Sequence, residues 1–133
     1  MRYLALSLPI LGLATLGALV TSQPAPAAGP ANPAVRGKMI FLRCAACHSI
    51  VAGAPNKVGP NLNGIVGKAS GTVPRFNYSP AMRAARLRWD DATLDRWLTR
   101  PAGVVPGTSM VFAGLANADD RRALIAYLKK PVP

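Results

Sequence analysis

Cys44-Ala45-Ala46-Cys47-His48 is the stretch on which the reading of this chain turns. Two thiols three positions apart on one turn of helix can each form a thioether to a vinyl group of a single porphyrin. The histidine that follows is then held under the ring, with an imidazole nitrogen for the iron. The spacing is a c-type haem attachment signature. Two other readings compete with it. A redox C-x-x-C belongs in a strand–helix–strand context, and no such pattern surrounds this one. Half of a zinc site needs a second pair of ligands, but His48 is the only histidine and there is no third cysteine. The implied cofactor is one haem c, attached through Cys44 and Cys47.

Working outward toward the N-terminus, Ala34–Arg43 leads directly into the motif. Val35, Met39 and Leu42 recur at helix-like spacing, with Arg36, Lys38 and Arg43 left for solvent and Met39 expected in the core. Further upstream, Arg2 precedes the uncharged run Leu4–Val20, in which only Ser7 and Thr15 carry polar groups. That pattern reads as an export signal. The organisation expected is therefore a signal peptide or N-terminal membrane anchor with the start of a linker over 1–28, an Ala/Pro-rich linker over 29–33, and the folded domain over 34–133. Ala25, Ala27 and Ala28 suit cleavage. Left uncleaved, residues 4–20 would contact the membrane as a helix of about 26 Å, slightly short of a hydrocarbon core of about 30 Å. In either case the folded part lies outside the cytoplasm, in the periplasm, free or tethered. Exported chains usually pair their cysteines, and a short disulfide scaffold would carry four or more. Two thiols in one run have another use.

Downstream, the expected elements are few and helical. Ser49–Gly71 is rich in Gly, Asn and Pro and reads as a long ordered loop. Ser79–Leu87 reads as a short helix with Pro80 at its first position. Asp90–Thr99 reads as another, with acidic residues at its start, stopped by Pro101. Gly103–Gly114 reads as loop. The last helix is capped by Asn117, carries Asp119 and Asp120 in its first turn and has a stripe of Leu124, Tyr127 and Leu128. No run alternates with period 2, so the fold class is all-α. An all-α domain this short with so much loop buries little surface by itself; a large apolar cofactor at its centre supplies the missing core.

Iron needs a sixth ligand opposite His48. Met1 lies in the leader, Met39 on the first helix, Met82 among Ala and Arg on a short helix, and Met110 in a loop after Pro106-Gly107-Thr108-Ser109. A loop can reach across a haem, but a loop methionine can equally be packing, and spacing alone leaves the two readings of Met110 open.

From about Gly37 to Lys130 the chain resembles the class I cytochrome c family, of the mitochondrial type and its short bacterial relatives. Cys44–His48, Val58-Gly59-Pro60-Asn61-Leu62, Pro106-Gly107-Thr108-Ser109-Met110 and Leu124–Lys130 occur in the family's order with nearly its spacing. The resemblance implies the cytochrome c fold, three to five short helices with long loops around one covalent haem. It also implies iron held by His48 and Met110. It gives Pro60 a carbonyl that accepts from the axial imidazole, and gives Tyr78, Trp89, Thr108 and Ser79 the haem propionates. Gly37 and Phe41 match the crossing of the first and last helices at Tyr127. Three positions depart. Trp97 stands where the mitochondrial type has a Tyr near the axial Met, with its indole N–H as a donor there. Met82 replaces a polar residue that the family often places near the haem, and Lys68 replaces an Arg that often lies near the propionates, whose fork a Lys cannot copy.

The function that follows is a one-electron carrier rather than an enzyme. A haem peroxidase or a gas-binding sensor is the alternative, and each needs an open iron position. The chain has 16 basic and 5 acidic residues; without Arg2 the balance is 15 against 5, or +10. Such a field speeds association with acidic surfaces. The expected partners are acidic docking faces of membrane redox complexes, from a quinol-oxidising complex to a terminal oxidase or photosynthetic reaction centre, met by a monomer. Export argues against nucleic acid.

Overall fold

Asn32 opens the first helix: its side-chain oxygen accepts from the Ala34 amide at 2.9 Å, and Pro33 occupies the first helical position, where a missing N–H costs nothing. The computed structural model describes residues 32–132. The leader expected over 1–28 and residues 29–31 of the linker lie outside the described residues, while Asn32 and Pro33 are the cap and first residue of a helix. Among the described residues the helices are five, in order: α1 (Pro33–Phe41), α2 (Pro80–Ala84), α3 (Asp91–Thr99), α4 (Pro101–Val104) and α5 (Ala118–Lys129). Among the described residues β-pairing amounts to one isolated bridge, between Ala69 and Arg88, so the protein is all-α. None of these helices is long and apolar enough to cross a membrane.

The caps explain the boundaries. Ser79 Oγ accepts from the Met82 amide at the start of α2, Asp90 from Thr93 at α3, and Asn117 from both Asp119 and Asp120 at α5. Pro101 ends α3 as expected, yet it also begins α4, because a proline that cannot continue one helix is well suited to start the next.

α1 crosses α5 so closely that a Cβ on Gly37 would lie 2.1 Å from the Ala123 carbonyl oxygen and 2.7 Å from Tyr127 Cβ. One turn on, the Phe41 and Tyr127 rings meet with centroids 5.4 Å apart. Arg36 donates through Nε to Asp120 at 2.9 Å across the same crossing. This contact reverses the face read from periodicity. Val35, Met39 and Leu42 do form a stripe, but it points to solvent, and Met39 is 63 % exposed rather than packed in the core. The helix buries the side on which a missing side chain allows backbone contact, and hydrophobicity does not decide the matter.

α5 also anchors α3. The Arg121 guanidinium donates to Asp95 at 2.7 Å and to the Leu115 and Ala116 carbonyls at 2.9 and 2.8 Å. Lys129 reaches Asp91 at 2.6 Å. Between α3 and α5 the chain runs back along α3, with the Leu115 amide on the Leu98 carbonyl at 2.8 Å. Gly114 makes that approach: its φ is +110° and a Cβ there would overlap the Thr99 carbonyl oxygen at 1.9 Å.

The Gly37 contact makes a definite prediction. Gly37→Ala inserts a methyl group into occupied space and should cost about 1–3 kcal/mol, read as a lower urea midpoint at unchanged slope.

Candidate functional site

A series of hydrogen-bonded turns carries the end of α1 into the motif. The Cys44 and Ala45 amides both bond the Phe41 carbonyl, and the Cys47 and His48 amides bond that of Cys44, at 2.8–3.0 Å. Cys44, Cys47 and His48 therefore inherit their positions from α1. The Cys44 thiol is half-buried and Cys47 exposed. Burial pushes the Cys44 thiol pKa up, with Arg43 opposing the shift and Cys47 adding to it.

His48 is buried, and its Nδ1 lies 2.8 Å from the Pro60 carbonyl oxygen. The carbonyl can only accept, so Nδ1 carries the hydrogen and Nε2 keeps its lone pair. Burial lowers the imidazole pKa below the usual histidine range; the Pro60 bond raises it and Lys57 lowers it further. A Cβ on Gly59 would sit 2.3 Å from His48 Cε1, so the loop can lie flat on the ring only with glycine there.

The loop that holds Pro60 has almost no regular structure, and asparagine side chains brace it instead. Asn61 Nδ2 donates to the Val51 and Ala54 carbonyls, both at 2.8 Å, and its Oδ1 accepts from the Asn63 amide. Asn56 Oδ1 accepts from the Asn61 amide at 2.8 Å while its Nδ2 holds the Pro74 carbonyl at 2.9 Å. Asn63 Nδ2 reaches Ile50 at 3.1 Å. The Gly59 amide returns to the Cys47 carbonyl at 2.7 Å, and Lys57 Nζ to Ala45 at 2.6 Å.

A cavity of about 260 Å³ opens above these residues. Cys44, Cys47, His48 and Pro60 line one part, and Thr108 and Met110 reach it from a distant loop. Tyr78, Met82, Trp89 and Trp97 line it as well. Trp89 and Trp97 pack with centroids 5.3 Å apart, and both are buried. The Trp89 backbone pairs with Gly67 and Lys68, which fixes the indole in depth. Burial raises the Tyr78 pKa, the Val73 amide opposing, so its hydroxyl stays a donor. Thr108 Oγ1 accepts from the Met110 amide at 3.3 Å. Among the lining residues, Arg43, Cys47, Val58, Ser109 and Val111 are exposed, so the cavity opens between the motif and the Met110 loop.

Ser79, expected at the propionates, does not line this cavity; its hydroxyl caps α2. Lys68 also lies elsewhere, in a separate cleft. Sequence reasoning assigned no role to the three asparagines, although Asn61 sits inside the run Val58-Gly59-Pro60-Asn61-Leu62. It also missed Phe76, whose ring meets Tyr78 edge-on at 4.7 Å.

Two thiols, an imidazole with one nitrogen free, and a thioether around an apolar cavity form a donor set that fits a covalently held haem. This is the class of c-type haem proteins. Residues 34–130 match the family model described as cytochrome c. Cytochrome c2 of Rhodomicrobium vannielii is 50 % identical over 111 residues, covering 84 % of this chain and 86 % of the relative. Cytochrome c of Ulva intestinalis is 46 % identical over 102 residues, covering 77 % and 92 %. The solved structure of cytochrome cH from Methylobacterium extorquens superposes with a TM-score of 0.69 at 40 % identity, covering 72 % and 96 %. The chain belongs to the cytochrome c family. It is an electron carrier with a covalent haem c, and Cys44 and Cys47 are the pair that fits the attachment.

Cys44→Ala and Cys47→Ala should each leave haem bound through one thioether and shift the α band of the pyridine haemochrome toward that of free protohaem. The double variant should release its haem into acid acetone, which the unaltered protein should not.

Proposed function

We propose that His48 and Met110 hold the haem iron from opposite sides, and that the chain is an exported monomeric carrier working between membrane redox complexes. The observation that carries the ligand reading is the shared cavity: one imidazole, already committed through Nδ1 to Pro60, and one thioether from a loop 62 positions further on. Haem, when bound, supplies the one-electron iron couple. The protein's own residues hold the ligands, exclude water and set the potential. The Pro60 carbonyl fixes the tautomer of His48 and raises its basicity. A thioether opposite an imidazole raises the potential relative to two nitrogen ligands. Tyr78, Trp89 and Thr108 are read as donors to the propionates, with Ser79 contributing through the cap it makes. Trp97 is read as an N–H donor beside Met110, and Met82 makes its side of the pocket apolar.

With both axial positions filled, outer-sphere electron transfer is favoured over the chemistry of a peroxidase or a gas sensor. No second histidine exists in the sequence to serve as a distal acid or base. The export reading rests on Leu4–Val20, and the docking reading on the exposed rim. Arg43, which lines the cavity, and Lys57 are exposed and match basic family positions on one side of the haem edge, whereas Ala102, Gly103 and Ser109, exposed as well, stand where the mitochondrial type has Lys on the other. An acidic partner is then met at the Arg43/Lys57 side, with a quinol-oxidising complex as donor and a terminal oxidase or photosynthetic reaction centre as acceptor.

Two experiments test these readings. Met110→Ala should abolish the weak near-infrared sulfur-to-iron band of the ferric protein and lower its potential, while Met39→Leu leaves both unchanged; loss of the band in Met82→Leu instead would move the ligand. In stopped-flow transfer to an acidic partner, Arg43→Glu and Lys57→Glu should each slow the second-order rate, most at low salt, because surface charges act over about 8–10 Å. Arg86→Glu should act less, and a larger loss there would place the docking face elsewhere.

A further inference from the structure

A second cavity, of about 470 Å³, shares no lining residue with the haem site. It is built wholly from the loop between α1 and α2, by residues 53–56, Asn61, Asn63, Lys68 and residues 73–75. Its size lies within the range of small-molecule sites. No carboxylate lines it. From Ser49 to Trp89 the sequence contains no acidic residue at all, against six basic ones.

The donors in this cleft fall into two groups. The three asparagine carboxamides are already spent on backbone groups of the same loop, which makes the walls stiff. Lys68 and Arg75 are exposed, and among the described residues neither side chain has an ion pair or hydrogen bond. Two cations thus share one cleft that offers them no counter-charge.

Arg75 carries an additional mark. Its φ is +58°, a left-handed conformation uncommon for a residue with a side chain. Arg86 has φ +49°, but it follows the C-cap residue of α2, where such a conformation is usual for ending a helix. Arg75 has no helix to end. Its backbone is pinned instead by the bond from Asn56 to the Pro74 carbonyl. Strain that the surroundings enforce in this way is typical of ligand clamps.

We propose that this cleft binds a phosphorylated small molecule, Arg75 gripping phosphate oxygens with its planar fork and Lys68 adding a point charge. The volume exceeds the needs of a single phosphate, which favours a ligand with two or more phosphoryl groups. Occupancy would cancel positive charge on the acid-free side of the carrier and so weaken its attraction to acidic surfaces, without touching the haem.

The test is calorimetric titration of the haem-loaded protein with pyrophosphate and with inorganic phosphate, sodium chloride holding the ionic strength constant. Pyrophosphate should bind more tightly than phosphate, with amide shifts confined to residues 53–56 and 73–75. Lys68→Gln and Arg75→Gln should each weaken binding by about tenfold or more, as loss of a charge-assisted contact does, while Arg96→Gln leaves it unchanged. Arg75→Gly removes the guanidinium and relieves the strained φ, so it should raise the thermal midpoint and still lose the ligand; this separates loss of charge from loss of fold. Sedimentation with phosphatidylglycerol vesicles distinguishes a lipid headgroup from a free molecule, and binding to vesicles alone overturns the small-molecule assignment. Equal binding by all four variants, or shifts spread evenly over the arginines, overturns the site itself. Every readout is independent of electron transfer.

Discussion

Gly37 lies against the backbone of α5 with no room for a methyl group, and the haem cavity is arranged around the consequences of that contact. Because α1 runs directly into Cys44–His48, the angle at which it crosses α5 sets where two thiols and an imidazole are offered. Because α5 also grips α3 through Arg121 and Lys129, the same crossing sets the depth of Trp97 and Leu98 on the opposite wall. Removing one hydrogen-sized clearance would shift three helices together, since packed interiors transmit strain rather than absorb it.

The helix ends were legible for a simple reason. Asp90, Asn117 and Pro80 act within one turn of themselves, so a local rule suffices. The buried face of α1 was not legible from periodicity. Val35, Met39 and Leu42 have the right spacing and the right chemistry for a core, and all three face water. The decisive residue is a glycine, which contributes nothing to a hydrophobic pattern. Only the resemblance to a family, through Gly37, Phe41 and Tyr127, pointed to the correct side.

The cavity was legible through its chemistry and not through its support. The attachment run names itself, whereas spacing alone leaves Met110 between ligand and packing. The asparagine braces stayed hidden because each one joins positions separated by 5 to 18 residues of irregular chain. A side-chain amide that replaces a missing secondary structure has no periodicity to announce it. The charges were legible as a total but not as a layout. All five aspartates belong to α3, α5 or their caps; three pair with basic residues across α1, α3 and α5, and Asp119 pairs with Arg122 within α5. Most of the remaining basic residues are left without a carboxylate partner.

The pairing of α1 with α5 joins the two ends of the domain: Arg36 and Asp120 are 84 positions apart. A contact of that span carries a large closure entropy and is among the slowest kinds to form. A chain still lacking its last dozen residues has nothing for Gly37 to meet, and its motif stays at the end of an undocked helix. Haem can therefore be joined to the cysteines before that helix docks. The part of the cavity wall that Leu124 and Leu128 supply closes only when the final helix arrives, so an order of manufacture with prosthetic group first and closure last suits the topology.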